Sequence, residues 1–298
     1  MRDPHIDMRM IARGLIAGAV FFAGLGLCHA QVWAWDDGSV PFVVTPEEVV
    51  DRMLRIADVG PGDYVIDLGS GDGRIVIGAA MRGARALGID IDPTLVAQGR
   101  ENARAAGVTA QTAFAVQDMF ETRLDDASVV TMYLLPEFNL KLRPKLLKLK
   151  PGTRLVSHDW NMGEWEPDET IELRTPEKAV GLGGKSKVHL WIIPADARGG
   201  WVAELPQHGG RWQFQIRQDF QSVSVDTFVG ASAAKELTTR GARLRGLEIK
   251  LVVTGVVGGR AWHHLFKGKI EGDRIVGEVL VSDGQQQRVI PWTAARKN

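Results

Sequence analysis

One stretch constrains the fold of this chain more than any other: DLGSGDGRIVIGAA, Asp67 to Ala80. Three glycines stand at alternate positions, Gly69, Gly71 and Gly73, with an apolar strand-like run before them and an apolar helix-like run after. Such a turn brings backbone N–H groups to the tip of a strand and sends the chain into a helix that packs back on the sheet. The pattern continues on both sides. The spacing predicts strand 64–68, helix 73–82, strand 85–90, helix 93–106, strands 112–116 and 127–133, helix 137–149 and strand 154–158. Gly83, Gly107 and Pro151-Gly152 supply the breaks. The strands are continuous apolar runs rather than alternating ones, as a parallel sheet covered by helices on both faces requires. Ahead of them, Thr45-Pro46-Glu47-Glu48 is expected to cap an amphipathic helix, with Thr45 as N-cap, Pro46 at the first helical position and Glu48 closing a capping box.

The texture changes after residue 158. Glu169–Arg174 and Ser186–Ile193 read as strands, and TPEKAVGLGGK between them leaves no room for a crossover helix, so they should pair antiparallel. From residue 200 onward, alternating strands are expected near 211–220, 222–229, 246–254, 260–267, 274–281 and 287–293. Turns fall at Gly258-Gly259, Glu271-Gly272-Asp273 and Asp283-Gly284. The expected fold class is therefore α/β: a Rossmann-like, mostly parallel sheet finished by an antiparallel hairpin, of the kind that separates methyltransferases from dinucleotide dehydrogenases. It is followed by an all-β antiparallel barrel or sandwich. The expected organisation is a leader over 1–30, the α/β domain over 31–195 and the β domain over 200–298.

Arg2, Arg9 and Arg13 precede the uncharged run LIAGAVFFAGLGL, and Cys28-His29-Ala30 follows. A basic start, an apolar centre and a small-x-small end make a secretory signal peptide with cleavage after Ala30. The run is shorter than the roughly 20 residues of a membrane span. An uncleaved anchor is the alternative. Cys28 is the single cysteine of the 298 residues. Its removal would leave no disulfide, thiolate metal site or cysteine nucleophile. Formal net charge is zero, so nothing at whole-chain level draws the protein to nucleic acid.

The glycine turn selects among ligands. Dinucleotide dehydrogenases use G-x-G-x-x-G; here the third glycine comes one residue early and Arg74 stands in the final position. G-x-G-x-G with an acid two residues before it suits S-adenosylmethionine (SAM), whose amino group and sulfonium are cationic and which carries no phosphate. Asp67 would attract that ligand and repel a pyrophosphate. Asp90 ends the next strand, where an acid can take both ribose hydroxyls, and Ile91 follows it. Asp118, after the third strand, can accept from an adenine amine, with Met119 or Phe120 packing on the ring. Taken singly, Asp92 and Asp118 read equally well as turn or cap residues. The candidate cofactor set is Asp67, Gly69, Ser70, Gly71, Gly73, Asp90, Ile91, Asp118 and Met119.

Methyl transfer needs a nucleophile in line with an already activated methyl group, and the exclusion of water. The acceptor is expected at the end of the fourth strand, VVTMYLLPEFN. No Asn/Asp-Pro-Pro-aromatic motif is present there, which disfavours adenine-N6 chemistry on DNA. VPFVVTPEEVVDRML, DLGSGDGRIVIGAA and YLLPE together resemble the lysine N-methyltransferase family that includes the ATP synthase c-subunit enzyme and its prokaryotic relatives. The resemblance covers about residues 40–160. One proline of the family's V-P-T-P pattern is missing at Val43-Val44-Thr45-Pro46. It implies that Pro41–Thr45 lies over the cofactor, adding Thr45 to the set, and that Tyr133–Glu137 lines a lysine channel. A lysine amine must be neutral to attack, and Tyr133 and Glu137 are the candidates for orienting it. The blander roles are a packed strand aromatic and a helix N-terminal acid.

His263-His264 are adjacent on a strand and should face opposite ways, which argues against a shared metal. Trp201, Trp212, Trp262 and Trp292 read as core. Neither a metal nor a nucleic-acid partner is expected. Three functions stay open: a membrane-associated or exported lysine methyltransferase acting on a protein, with a membrane protein favoured; a small-molecule methyltransferase; and a non-catalytic SAM-fold binding protein of the cell envelope.

Overall fold

The computed structural model describes residues 42–178, 183–206, 208–230, 237–257 and 259–297. The leader and lead-in expected over residues 1–41 lie outside the described residues. The chain runs α1 (Glu47–Ile56), β1 (Tyr64–Leu68), α2 (Arg74–Met81), β2 (Arg85–Asp90), α3 (Pro93–Ala105), β3 (Thr112–Val116), β4 (Val129–Met132), α4 (Pro136–Leu146) and β5 (Arg154–His158). It then makes β6 (Glu169–Arg174) and β7 (Lys185–Ile192). These seven strands form one sheet in the order β3-β2-β1-β4-β5-β7-β6. The first five are parallel, and β7 runs antiparallel to both β5 and β6. This is the mostly parallel sheet with a terminal antiparallel hairpin that the spacing predicts.

Successive residues of the central strands alternate between two cores, because strand side chains point to opposite faces. Val65, Val129 and Val156 join the cluster built with Val50, Met53 and Leu54 of α1 and Val76 and Ala79 of α2. Ile66, Val130 and Leu155 join the other cluster, with Leu142 and Leu146 of α4 and with Trp165 and Trp191. The helix expected over 137–149 stops at Leu146, two residues after Pro144, which has no N–H to give the helix ladder.

The capping box is overturned. The N-cap of α1 is Pro46, with an extended ψ of 145° and no side-chain cap. The Thr45 hydroxyl instead lies 3.4 Å from His158 Nδ1 at the tip of β5. A tertiary partner has taken the side chain that local sequence assigns to the helix.

The second sheet has eight antiparallel strands: β8 (Gly199–Leu205), β9 (Gly210–Asp219), β10 (Ser222–Val229), β11 (Leu237–Arg245), β12 (Glu248–Val257), β13 (Arg260–Glu271), β14 (Arg274–Ser282) and β15 (Gln287–Arg296). Their order, β10-β9-β8-β15-β14-β13-β12-β11, is a meander whose first strand pairs with its last, Ala203 opposite Ala294. The free edges β10 and β11 are joined by the hydroxyls of Thr227 and Thr239, 2.9 Å apart. The result is a nearly closed barrel filled by Trp201, Trp212, Phe214, Phe266 and Trp292. His264 points into this interior and His263 is exposed, on opposite faces as expected.

Two strands, β8 and β11, escape the sequence pattern. No strand is expected between 193 and 211, yet Gly199 already pairs with Ile216. β11 is an edge strand in which Leu244 alone is buried, and a bulge between Thr239 and Gly241 breaks its alternation. The β9–β10 turn meets the first sheet: the Phe220 ring stacks on Trp165 at 5.7 Å, and Trp165 Nε1 donates to Gln221 Oε1 at 2.8 Å. The described residues thus form a single compact unit.

Candidate active site

The glycine turn sits at the carboxyl end of β1, where ligands bind in open α/β sheets. Gly69 and Ser70 donate to Ile89 O at 2.8 and 2.9 Å, and Gly71 N donates to Asp90 Oδ2 at 2.8 Å. Asp90 Oδ1 accepts from Asp92 N at 3.0 Å. Asp90 therefore sets the shape of the turn as well as facing it. Gly71 has φ +52°, and a Cβ there would stand 2.2 Å from the Phe42 ring. Gly73, at φ +83°, would drive a Cβ into Phe114 at 2.7 Å and against Gly99 of α3. Both positions need glycine for space as well as for backbone conformation.

Residues 42–45 lie over this turn. Phe42 rests on Gly71, and Arg74 Nη1 donates to Thr45 O at 2.7 Å. A cavity of about 560 Å³ lies between this segment, Arg74 and Glu177. Pro41 lies outside the described residues.

Asp67 is 2% exposed, and Thr131 Oγ1 donates to its Oδ1 at 2.7 Å. Burial, with Asp90 and Asp72 adding like charge, pushes its carboxyl up to about 8, against the pull of the Thr131 hydrogen bond. Burial thus favours its neutral form in the free protein.

A second polar group lies one and two strands away, at the tips of β4 and β5. Tyr133 follows β4; its ring stacks on His158 with centroids 3.9 Å apart, and its hydroxyl donates to Asp159 Oδ2 at 3.4 Å. Burial and the neighbouring Asp159 hold the Tyr133 phenol protonated well above its ordinary range. Burial pushes His158 down to about 4, so its ring is neutral at physiological pH. Its nitrogens meet Thr45 Oγ1 and, at 3.0 Å, Ser186 Oγ. Asp159 is non-glycine yet adopts φ +64°, a conformation that persists only where the surroundings enforce it. Its Oδ1 accepts from Lys187 N at 3.0 Å, and its Oδ2 pairs with the ammonium of Lys178. Both side chains of that ion pair are 1% exposed. Among the described residues, no three His, Cys, Asp or Glu side chains converge as a metal-binding set.

The family model described as the ANTKMT methyltransferase domain matches residues 67–169, from the glycine turn to the start of β6. A protein-lysine N-methyltransferase of Saccharolobus islandicus is 45% identical over 137 residues, which is 45% of this chain and 85% of that relative. The chain belongs to the protein-lysine N-methyltransferase family. The mouse lysine N-methyltransferase of the ATP synthase c-subunit is 35% identical over 132 residues, 44% of this chain and 53% of that enzyme. A solved structure described as an RNA methyltransferase from Salinibacter ruber in complex with S-adenosyl-L-homocysteine is 51% identical, covers 52% of this chain and 95% of its own, and has a TM-score of 0.46. The matched family domain ends before the barrel begins.

The methyltransferase uses SAM, and its residues fit that cofactor. Gly71 forms a cradle that any Cβ would fill, and Ser70 Oγ is buried with no hydrogen-bond partner among the described residues. Ile91 is exposed beside Asp90, although an isoleucine gains by burial. Asp118 is exposed and accepts from Phe120 N at 2.8 Å, while Met119 is half-buried. Asp67, Gly69, Ser70, Gly71, Gly73 and Asp90 are brought together at one turn. Ile91 extends from the β2 tip, and Asp118 and Met119 from the β3 tip. Glu137 is exposed in the first turn of α4, and no described hydrogen bond joins it to Tyr133 or Asp159. Sequence reasoning missed His158 and Lys178 in this methyltransferase. The run RLVSHDWN, a strand that passes into five polar or aromatic side chains, is the signal that could have found His158.

Proposed function

We propose that this protein transfers a methyl group from SAM to the ε-amine of lysine in protein substrates. The observation that carries the reading is the 45% identity to a protein-lysine N-methyltransferase over 85% of that relative's length. The bound cofactor would supply a methyl group already activated by its sulfonium. The chain's own residues supply placement. Asp90 fixes the turn through Gly71 N, and Asp67, once ionised, balances the cofactor's positive charge. Residues 42–45 lie over the turn, with Phe42 against Gly71 and Thr45 O bonded to Arg74. Tyr133 is the group favoured to orient the acceptor: its phenol stays protonated and donates to Asp159, so its oxygen accepts from an N–H of the amine and does not act as a base. Glu137, exposed on α4, is assigned to the rim.

Two finer elements rest on the N-terminal pattern. The basic-then-apolar segment up to Ala30 supports a membrane-associated or exported enzyme, and with it a membrane protein as acceptor. Among the described residues, no helix is long and apolar enough to cross a membrane.

The test is labelling with methyl-tritiated SAM in a lysate that retains its membranes. Counts are then taken in the protein, lipid, RNA and metabolite fractions, with amino-acid analysis for methyl-lysine. Methyl-lysine in protein, concentrated in the membrane fraction, is expected. Label confined to metabolites would replace this reading with the small-molecule one. N-terminal sequencing of the isolated chain, beginning at Gln31, checks the leader.

A further inference from the structure

Tyr133 and Asp159 leave the sheet at neighbouring strand tips, since Met132 pairs with Ser157. Both strands lie on the cofactor side: Thr131, two residues before Tyr133, holds Asp67. Thr45 ties the same cluster to the glycine turn, touching His158 with its hydroxyl and Arg74 with its carbonyl. A buried carboxylate, a phenol and a stacked neutral imidazole therefore stand beside the cofactor turn, and the group they surround is a lysine ammonium. It belongs to Lys178, whose Nζ is held by Asp159 Oδ2, donates to Lys185 O at 3.2 Å and lies 5.8 Å from the Tyr133 ring centroid.

We propose that Asp159, with Tyr133 beside it, is the anchor that receives the substrate's lysine as its ammonium and takes the proton the nitrogen must shed before it attacks, and that Lys178 occupies it as an internal stand-in that a substrate lysine displaces. The inference rests on the lysine-methylation reading and adds the subsite that receives the acceptor. Carboxylate and aromatic ring together are the chemistry that recognises an alkylammonium. Asp159 is prepared for the exchange. Its Oδ1 accepts from Lys187 N and leaves Oδ2 to the ammonium, and its backbone is pinned by Asp159 N donating to Lys187 O at 2.7 Å. Lys178, by contrast, sits in the β6–β7 connection, next to Glu177, which lines the cavity beside residues 42–44. A lysine approaching through that cavity meets the loop that carries its stand-in. Until it arrives, Lys178 keeps the buried carboxylate from standing unpaired, a costly state in a dry site.

The test uses the full chain saturated with S-adenosylhomocysteine, with n-butylammonium as the probe, titrated by calorimetry. Lys178→Ala opens the anchor and is expected to bind the probe at least about tenfold more tightly than the wild type. The Asp159→Asn/Lys178→Ala double variant should return to the wild-type level. Equal affinity in Lys178→Ala and wild type would overturn the proposal. Should Lys178→Ala fail to fold, the neutral amide pair Asp159→Asn/Lys178→Gln keeps the packing. Its KM for a lysine peptide is expected to rise at least about tenfold, with S-adenosylhomocysteine affinity within about twofold of wild type; an unchanged KM also overturns the proposal. Probe binding needs no turnover. A wild type that labels no protein lysine would refute the functional reading, while the calorimetry would still judge the anchor.

Discussion

Asp67 is expected to make SAM binding depend on pH, and the dependence can be worked out from its surroundings. Its carboxyl is pushed from 3.8 up to about 8, mainly by burial. In the free protein the folded state therefore holds a proton that the unfolded state has released. The stability this represents is fully present below pH 3.8 and is lost as the pH rises through about 8. Between pH 5.5 and 7 the loss is on the order of 2 kcal/mol. A cationic ligand that requires the ionised form reverses the sign, because it must first expel the proton. Each pH unit below 8 then weakens binding by close to a factor of ten, so Kd for SAM should fall roughly thirtyfold between pH 5.5 and 7. An α-amino group titrates only near pH 7.7–8.0, so the ligand keeps its charge over this window. Isothermal calorimetry at half-unit intervals reads the slope, and Asp67→Asn should be flat over the same range. A wild type with no slope, or an Asp67→Asn variant with the same slope, would show that Asp67 does not meet the ligand's charge.

Asp90→Ala removes the acceptor of the Gly71 and Asp92 amides along with any contact to the ribose; SAM affinity should fall on the order of a hundredfold by calorimetry, and Asp90→Asn, which retains one carbonyl oxygen, should lose less. Gly71→Ala places a methyl group in left-handed backbone against the Phe42 ring. The backbone strain alone is about 1–2 kcal/mol, so the thermal shift produced by SAM should shrink sharply while the circular dichroism stays that of the wild type. In the barrel, Trp212 is fully buried and donates to His208 O at 2.6 Å; Trp212→Ala should cost about 3–5 kcal/mol in a urea melt followed at the barrel tryptophans.

Much of this molecule is written locally. The five parallel strands are short apolar runs between glycine and proline breaks, and most of their bounds follow from that pattern alone. The glycine turn is legible because its residues are contiguous. Asp90 is legible because a strand of fixed length delivers it to the same edge. The readings that failed are those in which a distant partner decided the outcome. Thr45 looks like a cap until His158, 113 residues away, is brought to its hydroxyl. β11 has no periodic signal because an edge strand with one buried side chain has little to bury, and β12 supplies the ladder that its own sequence does not announce.

By itself, the sequence determined the doubly wound sheet, the antiparallel finish and the cofactor turn, since each depends on periodicity or spacing within a few tens of residues. On the acceptor side the family resemblance offered Tyr133 and Glu137, and tertiary structure alone brought His158, Asp159 and Lys178 to Tyr133. Tyr133, His158, Asp159 and Lys178 come from three separate connections, and none is chemically unusual where it stands in the chain. They come together because β4 and β5 end side by side and Lys178, early in the β6–β7 connection, reaches Asp159. Burial then turns an ordinary aspartate and lysine into an ion pair sealed from water.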